Sequence, residues 1–264
     1  PPSAYGWLAR EKPGVGLHST SGGTDLNGSF HGGNPWLPVF EAELQSAGLG
    51  LDAAVLDEAG DEEVAAGAQG ELACRSAFPC APLAFLGDDG EGSKYRAAYF
   101  DDAFGGGRAW RHGDWVEPTE NGGLIIHGRS DATLNPGGVR IGTAEIYRHT
   151  DTIDVITDAI VIGHTIQQQD QIILFVCLRP EATLDDELIT RIQHTIRQGA
   201  SPHHVPKHIF HVQGVPRTVS GKLAEQAAKL AYLHQPIPNT HALINPECLP
   251  EFSTFNTDAD NDRT

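Results

Sequence analysis

The stretch STSGGTDL, residues 19–26, places a hydroxyl and a carboxylate directly after two glycines. Thr24 and Asp25 carry oxygen donors, and Gly22 and Gly23 allow the backbone to turn tightly. Mg²⁺ prefers a few protein oxygens together with water and phosphate oxygens, so this pair suits an ion held against a phosphate. A plain Gly-Gly turn capped by Asp25 explains the same residues, and from this stretch alone the turn is the better interpretation.

Two further stretches combine an acidic side chain with fixed cations. In WRHGDW, residues 110–115, Asp114 follows a glycine at a predicted strand end, where its two oxygens match a vicinal diol. In the stretch from 127 to 148, Arg129 and Arg140 carry planar guanidinium groups that suit phosphate and ribose oxygens. The alternative for the Gly-Asp pair is again a turn.

Asp131 and the pair Gly137-Gly138 lie between these two arginines. Glycines let a backbone approach a ligand closely, and a glycine turn before a helix can hold phosphate. The same glycines can form an ordinary turn between a strand and a helix. Because the GxGxxG fingerprint is absent, a dinucleotide-binding module is disfavoured.

The stretch PRTVSGKLAE, residues 216–225, places Lys222 after a Ser-Gly turn, at the predicted start of a helix. A lysine on a flexible loop can bring a point charge to developing negative charge. It does not belong to a GxxxxGK[ST] phosphate loop, since the first glycine and the trailing hydroxyl residue are absent. A solvated surface lysine is the usual alternative.

Histidines and cysteines offer little for a metal. His204 and His208 have the spacing of zinc ligands on a helix, but Pro206 between them interrupts a helix, so a metal site is disfavoured. The four cysteines lack CxxC spacing: Cys74, Cys80, Cys177 and Cys248. Reduced thiols and a cytoplasmic location are therefore predicted.

The charge of the chain limits its partners. Its 264 residues include 18 Lys and Arg against 35 Asp and Glu, a formal net charge of −17. This excess of acid argues against nucleic acid and against anionic membrane surfaces. A few local cations can still hold a small anionic ligand. No apolar run approaches the roughly 20 residues of a membrane-spanning helix.

From residue 130 to 250 the hydrophobic pattern predicts a small α+β domain of order αββαβα. The predicted elements are a helix at 142–153, strands at 157–163, 171–179 and 207–212, and helices at 185–199 and 220–235. Leu188, Ile192 and Ile196 lie one turn apart, which indicates an amphipathic central helix.

Residues 1–129 have a different hydrophobic pattern, with short apolar or alternating segments between turns. Strands are predicted at 53–57, 70–75 and 123–129. The domain boundary is predicted near Arg129–Asp131. The polar residues 251–264 are predicted to form a disordered tail.

Each motif is weak alone, but their order resembles the adenylate-forming family of acyl-CoA synthetases, luciferases and peptide-synthetase adenylation domains. The order is GGTD, GEL, GD, GRxD with a downstream GxR, and PxTxSGK. Within the family, the longest stretches resemble members that join acetoacetate to coenzyme A. The resemblance implies an ATP-dependent acid–thiol ligase that forms an acyl-adenylate, releases pyrophosphate and transfers the acyl group to CoA.

The resemblance implies the following contacts with ATP. Thr24 meets the α-phosphate side of the nucleotide, and Asp25, where most members have Glu, helps to hold Mg²⁺. Asp114 binds the ribose hydroxyls with Arg129 beside it. Arg140 contacts a phosphate of the nucleotide.

The resemblance also implies a moving domain. Lys222 contacts acyl and phosphate oxygens during adenylation, and the C-terminal domain then turns about Asp131 so that the thiol can enter. Gly137, Gly138 and Arg197 would bind CoA, with the arginine at its phosphate-bearing nucleotide end.

The acyl pocket is implied at Gly22 and Gly23. Acetyl-CoA synthetases have a tryptophan at the place of Gly22, and this indole closes their small acyl pocket. Its absence would leave room for a longer acyl chain, here acetoacetate.

In this family the phosphate loop and most of the acyl pocket lie upstream of the GGTD motif. The expectation is therefore a C-terminal portion, inactive alone, that lacks the N-terminal portion of the same enzyme. Residues 1–129 would be the β-rich, distorted-barrel-like end of the large domain, and 130–250 the small mobile lid domain. Two alternatives stay open: a ligase for another short acid, and a non-catalytic or split-subunit remnant that binds nucleotide or a partner.

Overall fold

The chain divides between Asp131 and Ala132 into two compact units. The division lies two residues after the end of the predicted β-rich part. The computed structural model describes residues 2–100, 103–166 and 169–256.

The first unit is β-rich. In chain order its elements are α1 (Pro2–Glu11), β1 (Ser21–Gly23), β2 (Gly28–Gly32), β3 (Glu43–Leu44), β4 (Ser46–Ala47), β5 (Ala53–Leu56), β6 (Gly70–Cys74), α2 (Ser93–Tyr99), β7 (Trp110–Pro118) and β8 (Leu124–Arg129). They form two antiparallel sheets, of order β3-β8-β7-β6-β5 and β1-β2-β4. The three predicted strands are observed as β5, β6 and β8, whereas α1, α2, the short strands β1 to β4 and the length of β7 were not predicted.

One apolar core joins these two sheets. Phe30 of β2, Leu72 of β6 and Trp110 of β7 are buried in it. The indole of Trp110 also stacks on Tyr99 of α2, with ring centroids 3.6 Å apart. The start of β7 is therefore fixed between the core and a helix.

The second unit is a mixed α+β domain. Its elements are α3 (Thr143–Thr150), β9 (Ile156–Ile166), β10 (Gln169–Leu178), α4 (Asp186–Gly199), β11 (His208–His211), α5 (Glu225–Tyr232) and α6 (Leu249–Ser253). Strand β10 pairs antiparallel with β9 and parallel with β11. The predicted order αββαβα is confirmed through α5, and with it the α+β class.

Helices cover both faces of this sheet, because successive residues of a strand point to opposite sides. Leu174 of β10 packs with Ile146 of α3 and Ile192 of α4. The next residue, Phe175, packs on the other face, where its ring centroid lies 4.7 Å from that of Phe252 in α6. No described helix is both long and apolar enough to cross a membrane.

Two of the differences from the predicted boundaries have a clear structural cause. The closing helix begins at Glu225 rather than at 220, because residues 217–223 form a hairpin with a bridge between its ends. The predicted disordered tail from 251 is wrong for its first residues, since Phe252 is fully buried within α6. Residues 257–264 lie outside the described part of the chain.

Candidate functional site

Asp114 lies inside β7, directly opposite Arg129 of β8. Its Oδ1 accepts a hydrogen bond from Nη1 of Arg129 at 3.3 Å, and its Oδ2 accepts one from Oγ of Ser21 at 3.2 Å. Nε2 of His112 lies 3.5 Å from the same Oδ2. The Asp114 side chain keeps 15% exposure, so a firmly oriented carboxylate remains accessible.

Arg129 is the exposed partner in this group. Its Nη1 also donates to the carbonyl oxygen of His112 at 3.2 Å, and its Nε lies 3.5 Å from Oδ1 of Asp131. Asp131 is exposed and is the last residue of the first unit. The guanidinium is therefore oriented by three oxygens while part of it stays free for an anion or a hydroxyl.

Gly113 marks a bulge rather than a strand end, so the predicted position of Asp114 is corrected: β7 continues to Pro118. Gly113 has φ +82°, and a Cβ here would lie 2.5 Å from Nη2 of Arg129. Its backbone N–H donates to Oε1 of the buried Glu71 at 2.7 Å. Glu71 belongs to the GEL motif, but its contact was not predicted, because nothing in the local sequence indicates a partner 42 residues further along the chain.

The two glycines of the GGTD motif lie in β1, not in a loop as predicted, and the turn is formed by residues 24–27. A Cβ on Gly22 would overlap the carbonyl oxygen of Gly28 on the paired strand. The strand pairing by itself therefore requires glycine at that position. Thr24 and Asp25 are both exposed on the turn.

Asp25 folds back towards β1, since a Cβ on Gly23 would overlap its Oδ1 and would lie 3.6 Å from Cε1 of His112. Among the described residues, no group of three or more His, Cys, Asp and Glu side chains could hold a metal. One exposed carboxylate beside the Thr24 hydroxyl is a partial ligand set. Such a set fits Mg²⁺ when phosphate and water supply the remaining oxygens.

In the second unit, a short hairpin over residues 134–141 carries the predicted glycine pair at its tip. Gly137 and Gly138 have φ +62° and +80°, values that favour glycine. Nε of Arg140 donates to Oγ1 of Thr133 at 3.2 Å, which orients the guanidinium at the base of the hairpin.

Arg197 is exposed in the last turn of α4, where a cation interacts favourably with the helix C-terminus. The chain then enters a 3-10 turn at Pro202–His204, where Nδ1 of His204 lies 2.8 Å from Oγ of Ser201. Nε2 of the same ring lies 3.2 Å from Oε2 of Glu145 in α3. The end of α4 is thereby tied to the start of α3.

The Gly137-Gly138 turn lies beside this 3-10 turn, since a Cβ on Gly137 would lie 3.8 Å from Nδ1 of His203. His204 is engaged with Glu145, whereas Nε2 of His208 lies 3.2 Å from Oε1 of Gln171. The zinc-like spacing of these histidines is thus accounted for by separate contacts.

Lys222 lies on the hairpin of residues 217–223 and does not open a helix as predicted. Gly221 has φ +84° in the turn, and the backbone N–H of Lys222 donates to Oγ1 of Thr218 at 3.2 Å. The Lys222 side chain is exposed. A point charge is thus carried on a short loop whose backbone is well defined.

Arg217 fastens this hairpin to the sheet. Its Nε and Nη2 donate to the carboxylate of Asp158 on β9 at 2.8–3.1 Å. Its Nη1 donates to the carbonyl oxygen of Gly221 at 2.7 Å, one residue before Lys222. The sequence analysis missed Arg217, since its partner is 59 positions away along the chain.

Tyr147 connects the helix that follows the hairpin with the sheet. Its buried hydroxyl donates to Oε1 of Glu225 at 2.6 Å and accepts from the backbone N–H of Val161 at 3.0 Å. Burial, and next the charge of Glu225, raise the pKa of Tyr147 well above its ordinary value. The phenol is therefore a neutral structural link.

The cysteines are free thiols. Burial raises the pKa of Cys177 to about 12 and that of Cys248 to about 11. Both thiols are protonated at neutral pH and are unsuited to act as nucleophiles.

Residues 151–222 match the family of AMP-binding enzyme C-terminal domains. The chain is 47% identical over 242 residues to acetoacetyl-coenzyme A synthetase of Rhizobium meliloti (strain 1021). It is 39% identical over 253 residues to acetoacetyl-CoA synthetase of Mus musculus. The alignments cover 92% of this chain but only 36% and 37% of those proteins.

A solved structure of acetoacetyl-CoA synthetase from Streptomyces lividans superposes with a TM-score of 0.85 and 38% identity, over 100% of this chain and 40% of that one. The chain therefore spans little more than a third of the length of these relatives. The resemblance to the C-terminal portion of adenylate-forming acyl-CoA synthetases is confirmed.

Proposed function

Since residues 151–222 belong to the AMP-binding enzyme C-terminal domain family, and since the chain resembles the C-terminal portion of acetoacetyl-CoA synthetases, we propose that the polypeptide carrying it is an ATP-dependent acid–thiol ligase. In the first step the acetoacetate carboxylate attacks the α-phosphorus of ATP, and pyrophosphate leaves. In the second step the CoA thiol loses its proton and attacks the acyl carbonyl, and AMP leaves.

The Asp114–Arg129 pair is the observation that carries this proposal. The two carboxylate oxygens of Asp114 on β7 can accept hydrogen bonds from both hydroxyls of a ribose, and Arg129 on the adjacent strand lies beside them to contact the same sugar. Arg140 would reach a phosphate of the nucleotide from its own unit. Substrate positioning of this kind converts a slow encounter of two anions into a reaction within one complex.

Thr24 and Asp25 would serve the phosphate end of ATP. Their exposed turn offers a hydroxyl to the α-phosphate and one carboxylate to a Mg²⁺ ion. When bound, Mg²⁺ would supply positive charge that offsets the repulsion between the acid and the triphosphate.

Lys222 would act in the first step alone. Its ammonium group would stabilise the charge that develops between the carboxylate and the α-phosphate. The second unit would then turn about Asp131 so that Lys222 leaves and the thiol can enter. Gly137, Gly138 and Arg197 would hold CoA, because glycine permits close backbone approach and the arginine offers a donor fork to its phosphate.

Gly22 and Gly23 would border the acyl pocket. Because strand pairing already requires glycine at position 22, the room for acetoacetate rests on the similarity to acetoacetyl-CoA synthetases rather than on the missing indole. A ligase for another short acid is the alternative for this pocket.

Several large apolar side chains of the first unit are exposed, which favours a partner segment. Trp36 is 88% exposed, and Val15 and Trp7 are 62% and 53% exposed. We assign these side chains to contact with the N-terminal portion of the same enzyme, which would also supply the phosphate loop. If that portion is a separate polypeptide, the same side chains would dock it as a split subunit. The free cysteines support a cytoplasmic enzyme.

Turnover of ATP, CoA and a panel of acids tests the proposal. The native polypeptide should form thioester with acetoacetate faster than with acetate, 3-hydroxybutyrate or a branched acid, whereas the 264-residue chain alone should show no turnover. Preference for another acid would replace acetoacetate as the substrate. Failure of the native polypeptide with every acid would leave the non-catalytic remnant as the better interpretation.

A further inference from the structure

Glu71 is a carboxylate in the middle of an apolar strand. Its exposure is 1%, and its neighbours Leu72 and Ala73 are fully buried. A charge in such a place is unfavourable unless it is paired and hydrogen-bonded. The contacts of Glu71 therefore indicate what this carboxylate does.

Both oxygens of Glu71 bond to the strand that carries Asp114. Oε1 accepts from the backbone N–H of Gly113 at 2.7 Å, and Oε2 accepts from Nε of Arg111 at 3.2 Å. The guanidinium of Arg111 also lies over the ring of Phe104, 5.4 Å from its centroid. Glu71 thus bonds to β7 at two positions, Arg111 and Gly113, which lie on either side of His112.

This part of β7 is a bulge. Glu71 of β6 pairs with Trp115 of β7 and Ala73 pairs with Arg111, so between these pairs the single residue Leu72 faces residues 112–114 of β7. A bulge leaves backbone groups without ladder partners and turns its side chains in a new direction. Here the Glu71 carboxylate takes up the N–H of Gly113, and the next side chain is Asp114.

We propose that Glu71 is a positioning residue that fixes the bulge so that the Asp114 carboxylate meets the vicinal hydroxyls of a ribose. The inference rests on the proposed function, in which Asp114 binds that diol. Recognition of two hydroxyls by two oxygens is sensitive to a displacement of about 1 Å. Loss of the bond to Gly113 would therefore impair diol recognition more than any other part of nucleotide binding.

Calorimetric binding of ATP and of 2′,3′-dideoxy-ATP to the native polypeptide tests this inference. The wild type should bind ATP more tightly, and Asp114→Asn should abolish the difference. Glu71→Ala should weaken ATP binding about 10-fold or more, the scale of a lost charge-assisted bond, yet change binding of the dideoxy analogue less than about 2-fold. Glu71→Gln keeps an acceptor for the Gly113 N–H and should restore most of the discrimination.

Glu117→Ala is the matched control, since Glu117 is a half-buried carboxylate on the same strand that bonds to His127. It should preserve the preference for ATP. If Glu71→Ala does not fold, Glu71→Asp, whose shorter side chain withdraws from Gly113, is measured in its place with the same expected result.

Equal weakening of both nucleotides by Glu71→Ala would overturn the inference and leave Glu71 a structural residue. No weakening of either would overturn it as well. A wild type that binds both nucleotides equally would instead contradict the ribose role of Asp114, and the proposed function would fail first.

Discussion

Asp114 and Lys222 are held in contrasting ways. Asp114 lies within an antiparallel sheet, 15% exposed, and receives hydrogen bonds from a neighbouring strand and from a second sheet. Lys222 lies on an exposed hairpin. Thr218 and Arg217 bond to the backbone of this hairpin, at Lys222 and Gly221, and not to the Lys222 side chain. The contrast fits a group that binds one ligand throughout a reaction and a group that must arrive and leave.

Removal of the lysine charge gives the largest expected effect. Lys222→Ala in the native polypeptide should lower acetoacetate-dependent exchange of pyrophosphate into ATP by about 10²–10³-fold, because a positioned charge on the developing transition state is lost. Lys229→Ala, on α5 of the same unit, is the control and should retain exchange. Normal exchange in Lys222→Ala would show that Lys222 does not act in adenylation.

The sheet region should respond to pH through His31, which pairs with Ser21 beside the Asp114 site. Burial lowers the pKa of His31 from 6.5 to about 4. Between these two pH values the unfolded chain binds more protons at this histidine than the folded chain does. The contribution of His31 to the free energy of unfolding is therefore fully present above pH 6.5 and falls by about 3 kcal/mol as the pH drops to 4.

Chemical denaturation of wild type and His31→Gln between pH 7.5 and 4.5 measures this difference. The variant should show a shallower decline than the wild type. The exposed His241→Gln is the control and should follow the wild type. Identical pH dependence in all three proteins would show that His31 is protonated without cost in the fold.

The hairpin depends on Arg217. Arg217→Ala should lower the free energy of unfolding of the second unit by about 2 kcal/mol, because it leaves the half-buried Asp158 carboxylate without its cation. The control is Arg75→Ala in the first unit, where both members of the Arg75–Asp52 pair are 45% exposed and the expected loss is below about 1 kcal/mol. Equal losses would mean that the Arg217 contact is an ordinary surface pair.

Thr218 should give the smallest effect. Thr218→Val removes the acceptor of the Lys222 N–H and should speed hydrogen exchange at that amide by about 5-fold, the scale of one neutral hydrogen bond. Thr240→Val, exposed on another turn, should leave this amide unchanged. Unchanged exchange in Thr218→Val would show that the hairpin backbone is held without the hydroxyl.

The sequence predicts the second unit better than the first, because its elements carry clear periodicity. Leu188, Ile192 and Ile196 identify α4 and are all buried. In the first unit, the pattern predicts that a strand ends near Gly113, yet Gly113 lies in a bulge inside β7. A local pattern cannot distinguish these two roles, since the bulge depends on the partner strand.

The site divides in the same manner. The order of the motifs identified Asp114, Arg129 and Lys222 as candidates, because these residues lie in motifs that resemble those of a known family. Glu71 and Arg217 position their neighbours through partners 42 and 59 residues away, and no local spacing reveals such pairs. Phe252 was missed for a related reason, since its polar neighbours conceal one buried anchor.

The most direct test measures the two half-reactions separately in Asp114→Asn and Lys222→Ala of the native polypeptide. Adenylation is followed by pyrophosphate exchange, and thioester formation by reaction of preformed acetoacetyl-adenylate with CoA. We predict that Asp114→Asn weakens nucleotide binding in both half-reactions, whereas Lys222→Ala slows adenylation alone. Equal slowing of both half-reactions by Lys222→Ala would contradict the distinction between a fixed nucleotide site and a departing lysine.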